Sequence, residues 1–221
     1  MSDDSFFREV NEEIRQDQAK ALWDRFGPAV LGLAALIVVG TGAFVAWEYW
    51  QTSKANTAGD AFSQALTLAR DGKNDEALAA LKALETDGYG AYPILARMRS
   101  ATVLADKGDF KGAVDAFDAV AADGSIPMSI RDLARLRAAY LLVDNGTYAE
   151  VAQRAEELSA DTNPLRASAR EALALSAWKD GKASDALKLF EQISNDDQAP
   201  QNARQRAGMM AELIRGSGVT S

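Results

Sequence analysis

Twenty consecutive residues without a charge, Pro28 to Trp47 (PAVLGLAALIVVGTGAFVAW), interrupt an otherwise strongly polar chain of 221 residues. At about 1.5 Å of rise per residue such a segment makes a helix roughly 30 Å long, the thickness of a bilayer's hydrocarbon core. Its strongly apolar residues, from Val30 and Leu31 through Leu36, Ile37, Val38 and Val39 to Phe44 and Val45, together favour insertion by roughly 3 to 5 kcal/mol, whereas one central Arg or Asp costs about 3. Trp23 and Phe26 stand before the segment, and Trp47, Tyr49 and Trp50 close it. Amphipathic rings at both ends of an apolar span settle at the headgroup layers, which makes Trp23, Trp47, Tyr49 and Trp50 the expected interface anchors.

The flanks also orient the span. Arg8, Arg15, Lys20 and Arg25 precede it, whereas the twenty residues after Trp50 carry Lys54 and Arg70, so the positive-inside rule places the N-terminus in the cytoplasm and the remainder outside. A cleaved signal peptide is the competing reading, since Thr41, Gly42 and Ala43 imitate a peptidase site. Signal peptides, however, have apolar cores of about 7 to 15 residues behind a short basic start. This core is longer and follows a tail rich in Asp and Glu, so an uncleaved anchor over 28–50 is expected. The tail, 1–27, reads as a short cytoplasmic helix with Phe7, Val10, Ile14, Ala21 and Leu22 near one face, interrupted at Gly27 and Pro28. A linker over 51–57 would then lead to an external domain over 58–215, with 216–221 as a frayed, flexible end.

The chain has no Cys and no His, and a net charge of −8. Disulfides and thiolate metal sites are excluded, and the commonest general base and metal ligand is missing. No basic block is present to track a phosphate backbone, so nucleic acid is not an expected partner. Neither a metal, a cofactor nor a small-molecule substrate is expected. After residue 50 the sequence is rich in Ala and Leu, strong helix formers, and predicts an all-α fold.

Self-similarity narrows that fold. Aligned on Gly72, Gly108, Gly146 and Gly181, the chain repeats its apolar offsets four times. Five residues after each glycine stand Ala77, Ala113, Val151 and Ala186; nine after, Leu81, Phe117, Ala155 and Phe190; twelve after, Leu84, Val120, Leu158 and Ile193. Seven before sit Ala65, Ala101, Ala139 and Ala174. Small residues at fixed offsets let two helices approach, and large ones at helical spacing fill the seam. Each glycine therefore marks a turn between two helices, supplying a left-handed residue at a helix C-terminus. Breakers around Pro93, Pro127, Pro164 and Pro200 end the units. Four helix pairs and a capping helix follow.

This pattern resembles the tetratricopeptide family, whose unit is a helix–turn–helix of about 34 residues. Gly108-Asp109-Phe110 through Ala113 and Phe117 carries the resemblance best, and Gly146-Thr147-Tyr148 through Val151 is a second copy. The units here are longer and lack the early aromatic of the first helix, so the likeness is to a divergent branch. A further echo, Ala96-Arg97-Met98-Arg99-Ser100-Ala101 against Ala134-Arg135-Leu136-Arg137-Ala138-Ala139, begins again at Ala169-Arg170. These arginines read as snorkelling side chains or partners of acids such as Asp115, Asp118 and Glu150, with a ligand-binding stripe as the alternative. Three motif matches carry no function: Ser176-x-x-Lys179 lacks the companion elements of serine acyl-enzymes, Asn145-Gly146-Thr147 falls on a repeat turn, and Asn195-Asp196-Asp197 reads as a solvated linker.

With a short tail, one anchor ending in Trp47-Glu48-Tyr49-Trp50, and divergent helix pairs beyond, the chain resembles the bacterial ancillary SecYEG translocon subunit family. The resemblance implies a non-catalytic, single-pass inner-membrane protein. Its periplasmic repeats would associate with the translocon, periplasmic chaperones and exported polypeptides. Related repeats occur in cell-division and envelope-assembly adaptors, which stand as the alternative. A stack of helix pairs presents a groove lined by its first helices, and Leu95, Met98, Leu133, Leu136, Tyr140, Leu175 and Trp178 are the candidate groove residues. Ordinary interhelical core is the other reading of the same positions. Gly42 and Ala46 form a small-xxx-small pair for packing on another helix.

Overall fold

The computed structural model describes residues 3–218, with side chains described for Arg15 and from residue 20 onward; the side chains of Phe7, Arg8, Val10 and Ile14, and residues 219–221, lie outside that description. Among the described residues the fold is all-α: α1 (Asp3–Arg70), α2 (Asn74–Asp87), α3 (Tyr92–Asp106), α4 (Phe110–Ala122), α5 (Met128–Asn145), α6 (Tyr148–Ala155), α7 (Arg166–Lys179), α8 (Ala183–Ser194) and α9 (Gln201–Gly216), with a 3-10 turn at Glu157–Ser159. The chain divides into two compact units, Met1–Asn56 and Thr57–Ser221.

Within the first unit, α1 passes through Gly27 and Pro28 without a break and continues through 51–57. The expected interruption and linker are therefore helical. Gly27 is a seat rather than a breaker: a Cβ there would stand 3.2 Å from the Trp23 indole. Pro28 removes one bond of the ladder, which leaves the Asp24 carbonyl without its usual donor; spanning helices tolerate this where other donors are at hand. Among the described residues one helix is long and apolar enough to cross a membrane, with a window of mean hydropathy 2.4 and nothing in that window buried. Trp23, Trp47, Tyr49 and Trp50 are all exposed, and the Lys54 ammonium sits 3.9 Å above the Trp50 ring. Gly42 and Ala46 share a shallow apolar hollow with Ile37, Val38, Thr41, Val45 and Tyr49.

Every one of the repeated apolar offsets is buried in the second unit, from Ala65 and Ala77 to Phe190 and Ile193. Ala58 and Ala65 of the last turns of α1 cluster with Ala77, Leu81 and Leu84 of α2; α3 pairs with α4, α5 with α6, and α7 with α8, while α9 packs on α8. Three apolar clusters run along this stack. The first joins Ala65, Leu81, Ala96 and Val103; the second is centred on Phe117, Val120 and Leu136; the third gathers Phe190, Ile193 and Ile214. Alanines at the contacts admit close helix approach, and one large residue per seam fills what remains.

Three repeat turns share one geometry. Gly72, Gly108 and Gly181 have φ of 76°, 86° and 77°. In each case the glycine N–H donates to the carbonyl three residues back, and the next N–H donates to the carbonyl five residues back, as in Lys73 to Leu68 (2.9 Å), Asp109 to Leu104 (3.0 Å) and Lys182 to Ala177 (2.9 Å). This double closure satisfies carbonyls that a helix end leaves open. The third turn departs from the expectation. Gly146 is extended, at φ −134° and ψ −164°, and its N–H donates to the Leu142 carbonyl at 2.8 Å. A Cβ there would meet Leu142 Cδ2 at 2.6 Å, so close approach, not handedness, calls for glycine. Thr147 then opens α6 with a reciprocal cap: its hydroxyl accepts from the Glu150 N–H and Glu150 accepts from the Thr147 N–H. The second helix of this unit is cut to eight residues, and Leu158 reaches the core from the 3-10 turn instead.

Candidate partner-binding face

The first helices α3, α5 and α7 carry the candidate groove residues, and those residues divide. Leu95 (42 %) and Tyr140 (36 %) are exposed, whereas Leu136 is buried in the central cluster. Leu136 is therefore core, a member of the cluster that holds Phe117 and Val120. Met98, Leu175 and Trp178 are half-buried and pack against the apolar clusters, and Leu133 is half-buried. Spacing alone places all seven on first helices and does not separate the edge of a core from an open face.

Polar contacts tie successive first helices together at the C-terminal end. The Tyr140 hydroxyl lies 3.2 Å from both the Ser168 carbonyl and the Glu171 carboxylate, and Glu171 accepts two 2.9 Å bonds from Arg206 of α9. Burial, reinforced by the neighbouring carboxylate, pushes the Tyr140 hydroxyl up to about 12, so it acts as a neutral donor. Lys179 reaches back to the carbonyls of Val143 (3.0 Å) and Asp144 (2.6 Å), capping the C-terminus of α5. Ser176 is buried. The Ser176-x-x-Lys179 match is thus part of the scaffold, with its lysine held by backbone.

Arginines close the opposite edge, though not with the expected acids. Asp118 accepts from Arg154 of the neighbouring second helix at 2.6 to 3.2 Å, Asp115 from Lys111 at 2.5 Å, and Glu150 serves the Thr147 cap, which holds its carboxyl below the usual range. The first arginine of each copy of the echo binds an acid at a unit end instead. Arg97 meets Asp123 at 2.6 Å and Arg135 meets Glu157 at 3.1 Å. Arg170 is buried, pairs with Asp161 and donates to the Ser159 carbonyl at 3.0 Å. The Ser125 hydroxyl, with Arg97, lowers the Asp123 carboxyl to about 2. Asp196 is likewise no solvated linker: Arg166 grips it at 2.7 and 3.0 Å and depresses its ionisation. A first helix is thereby strapped to the loop at the end of its own unit, a long-range pairing that local spacing does not reveal. Among the described residues no group of three acidic, His or Cys side chains is placed to hold a metal ion.

The stacked helix pairs and their repeated turns define a helical-repeat protein, and the tetratricopeptide repeat-like domain model matches residues 20–164. The chain belongs to that family. It is similar to the ancillary SecYEG translocon subunit of Escherichia coli (strain K12), 28 % identical over 194 residues that cover 82 % of this chain and 93 % of that protein. It is also similar to the ancillary SecYEG translocon subunit of Haemophilus influenzae, 28 % identical over 109 residues, covering 47 % of this chain and 51 % of that protein. No solved structure matches the chain.

Proposed function

We propose that this protein is a membrane-anchored, non-catalytic scaffold. In this reading 28–50 crosses the bacterial inner membrane once, 1–27 is cytoplasmic, and the repeats over 58–215 are periplasmic. They would bind subunits of the SecYEG translocon and periplasmic chaperones while polypeptides are exported. One observation carries the reading: the likeness to ancillary SecYEG translocon subunits extends over 93 % of the Escherichia coli protein, and the family match itself begins at residue 20, so it takes in the apolar span as well as repeats. Exposed apolar residues along α1 support the anchor, and the interface rings support its depth. Trp23, Trp47, Tyr49 and Trp50 are the proposed headgroup anchors.

The scaffold reading is tested by cross-linking in living cells, purification of the full chain in mild detergent, and identification of its companions. Translocon subunits, with chaperones, are the expected companions. Recovery of cell-division or wall-building proteins in their place, or of no translocon subunit at all, would overturn the export role.

A further inference from the structure

The first helices of the second and third units carry one motif that the other units lack. Arg99 and Asp106 on α3 stand seven residues apart, as do Arg137 and Asp144 on α5, and both pairs sit at the same offsets from Gly108 and Gly146. At about 100° per residue, positions separated by four and seven fall within one narrow stripe of a helix. Leu95, Arg99 and Asp106 therefore share one face of α3, and Arg137, Tyr140 and Asp144 one face of α5. In the first helix-pair repeat the two corresponding positions are Ser63 and Arg70, and in the fourth repeat Ala172 and Lys179.

Among the described arginines of α3 to α9, Arg99 and Arg137 stand apart from the rest. Arg97, Arg131, Arg135, Arg154, Arg166, Arg170, Arg204, Arg206 and Arg215 all have acidic or carbonyl partners. Among the described residues, neither Arg99 nor Arg137 has an ion pair or hydrogen bond from its side chain, nor do the carboxylates of Asp106 and Asp144. Arg99 Nε is buried with no acceptor, a cost that folded proteins rarely leave without a reason. Arg137, Asp106 and Asp144 are exposed, and Leu95 and Tyr140 supply exposed apolar surface beside them. Lys179 binds the Asp144 carbonyl and leaves its carboxylate unpaired.

We propose that this face binds a helix of a partner protein. That helix would carry an acidic and a basic side chain seven residues apart on its apolar face, the acid against Arg99 and Arg137 and the base against Asp106 and Asp144. Seven helical residues span roughly 10.5 Å, the same separation on both partners. An extended segment covers that distance in about three residues, which points its two charges to opposite faces; the spacing thus selects a helix. The charges fix register and reject a helix of one sign, while the apolar surface supplies the contact. This inference rests on the scaffold reading and names the chemistry of its partner segment.

The test uses the full chain in detergent micelles and two labelled 18-residue helical peptides built on alanine and leucine. One carries glutamate and lysine seven positions apart on its leucine face; the other carries lysine at both positions. By fluorescence anisotropy the wild type should bind the mixed peptide at least about tenfold more tightly. Arg99→Glu with Arg137→Glu should reverse that preference. Arg99 is partly buried, so Asp106→Lys with Asp144→Lys, at exposed positions, provides a second variant, which should bind the mixed peptide at least about tenfold more weakly than the wild type does while melting like the wild type. Equal binding of the two peptides by the wild type, a preference that survives Arg99→Glu with Arg137→Glu, or undiminished binding of the mixed peptide by Asp106→Lys with Asp144→Lys, overturns the proposal. So does a wild-type dimer in sedimentation that Arg137→Glu dissolves, because the face would then serve a second copy. Loss of peptide preference with translocon subunits still cross-linked refutes the charge register alone; the converse refutes the export role alone.

Discussion

Val38 and Val39 on α1 are each 71 % exposed, whereas Val103 and Val120 in the repeats are fully buried. The residue type is the same; its periodicity differs. In α1 apolar residues surround the helix between positions 28 and 47, leaving no polar face to turn toward water, and such a helix needs lipid or a core to cover it. In the repeats the apolar residues recur at fixed offsets, and charged residues occupy the faces between them. Hydrophobicity all round makes an anchor, and the same hydrophobicity in stripes makes a stack.

Substitutions that exchange the two regimes should separate them. The largest effect is expected at Phe117, buried in the central cluster: Phe117→Ala should destabilise the repeats by about 3 to 5 kcal/mol, read by denaturant unfolding of the full chain followed by circular dichroism, with membrane retention unchanged. Val38→Arg should do the opposite. It costs about 3 kcal/mol at the centre of the span, so the chain should shift from the membrane fraction to the soluble one while the repeats melt as before.

Next come the turns, where two glycines serve different needs. Gly146→Asn should cost about 1 to 3 kcal/mol because the added branch meets Leu142 in a packed site. Gly108→Asn should cost less than about 1, since asparagine tolerates the left-handed conformation and a Cβ at Gly108 meets nothing within 4 Å. Equal losses in thermal unfolding would show that the two turns share one constraint after all. The smallest effect is expected from Asp123→Asn. The Asp123 carboxyl ionises at about 2 in the folded chain, below its ordinary value of about 3.9, so its contribution is present above that value and lost as pH falls toward 2. The melting temperatures of wild type and variant should therefore converge between pH 5 and pH 2.

The helix pairs were legible in the sequence because burial follows offsets: Ala77, Phe117, Leu158 and Ile193 were each placed by counting from a glycine, and each is buried. The glycine turns were legible where handedness drives them, at Gly72, Gly108 and Gly181. Gly146 was not, since its constraint is the Leu142 side chain, which no local rule anticipates. Pro28 and Gly27 also misled, because breaker rules calibrated on soluble chains weaken where an apolar helix runs through them. Arginine partners escaped for a different reason: Arg97 and Asp123, or Arg166 and Asp196, lie 26 and 30 residues apart, joined by the return of a whole helix pair. The candidate groove was legible as a set of first-helix positions, but Leu95 and Leu136 differ in exposure only through what packs beside them.

Protease treatment of spheroplasts, followed by alkaline extraction of their membranes, tests most directly whether a lipid-embedded stalk holds the repeats outside the cytoplasm. A full chain that resists extraction is expected and, after external protease, an N-terminal fragment ending just beyond Trp50 that stays in the membrane. Release of the intact chain by alkali, or repeats shielded from protease until the spheroplasts are broken, would contradict it.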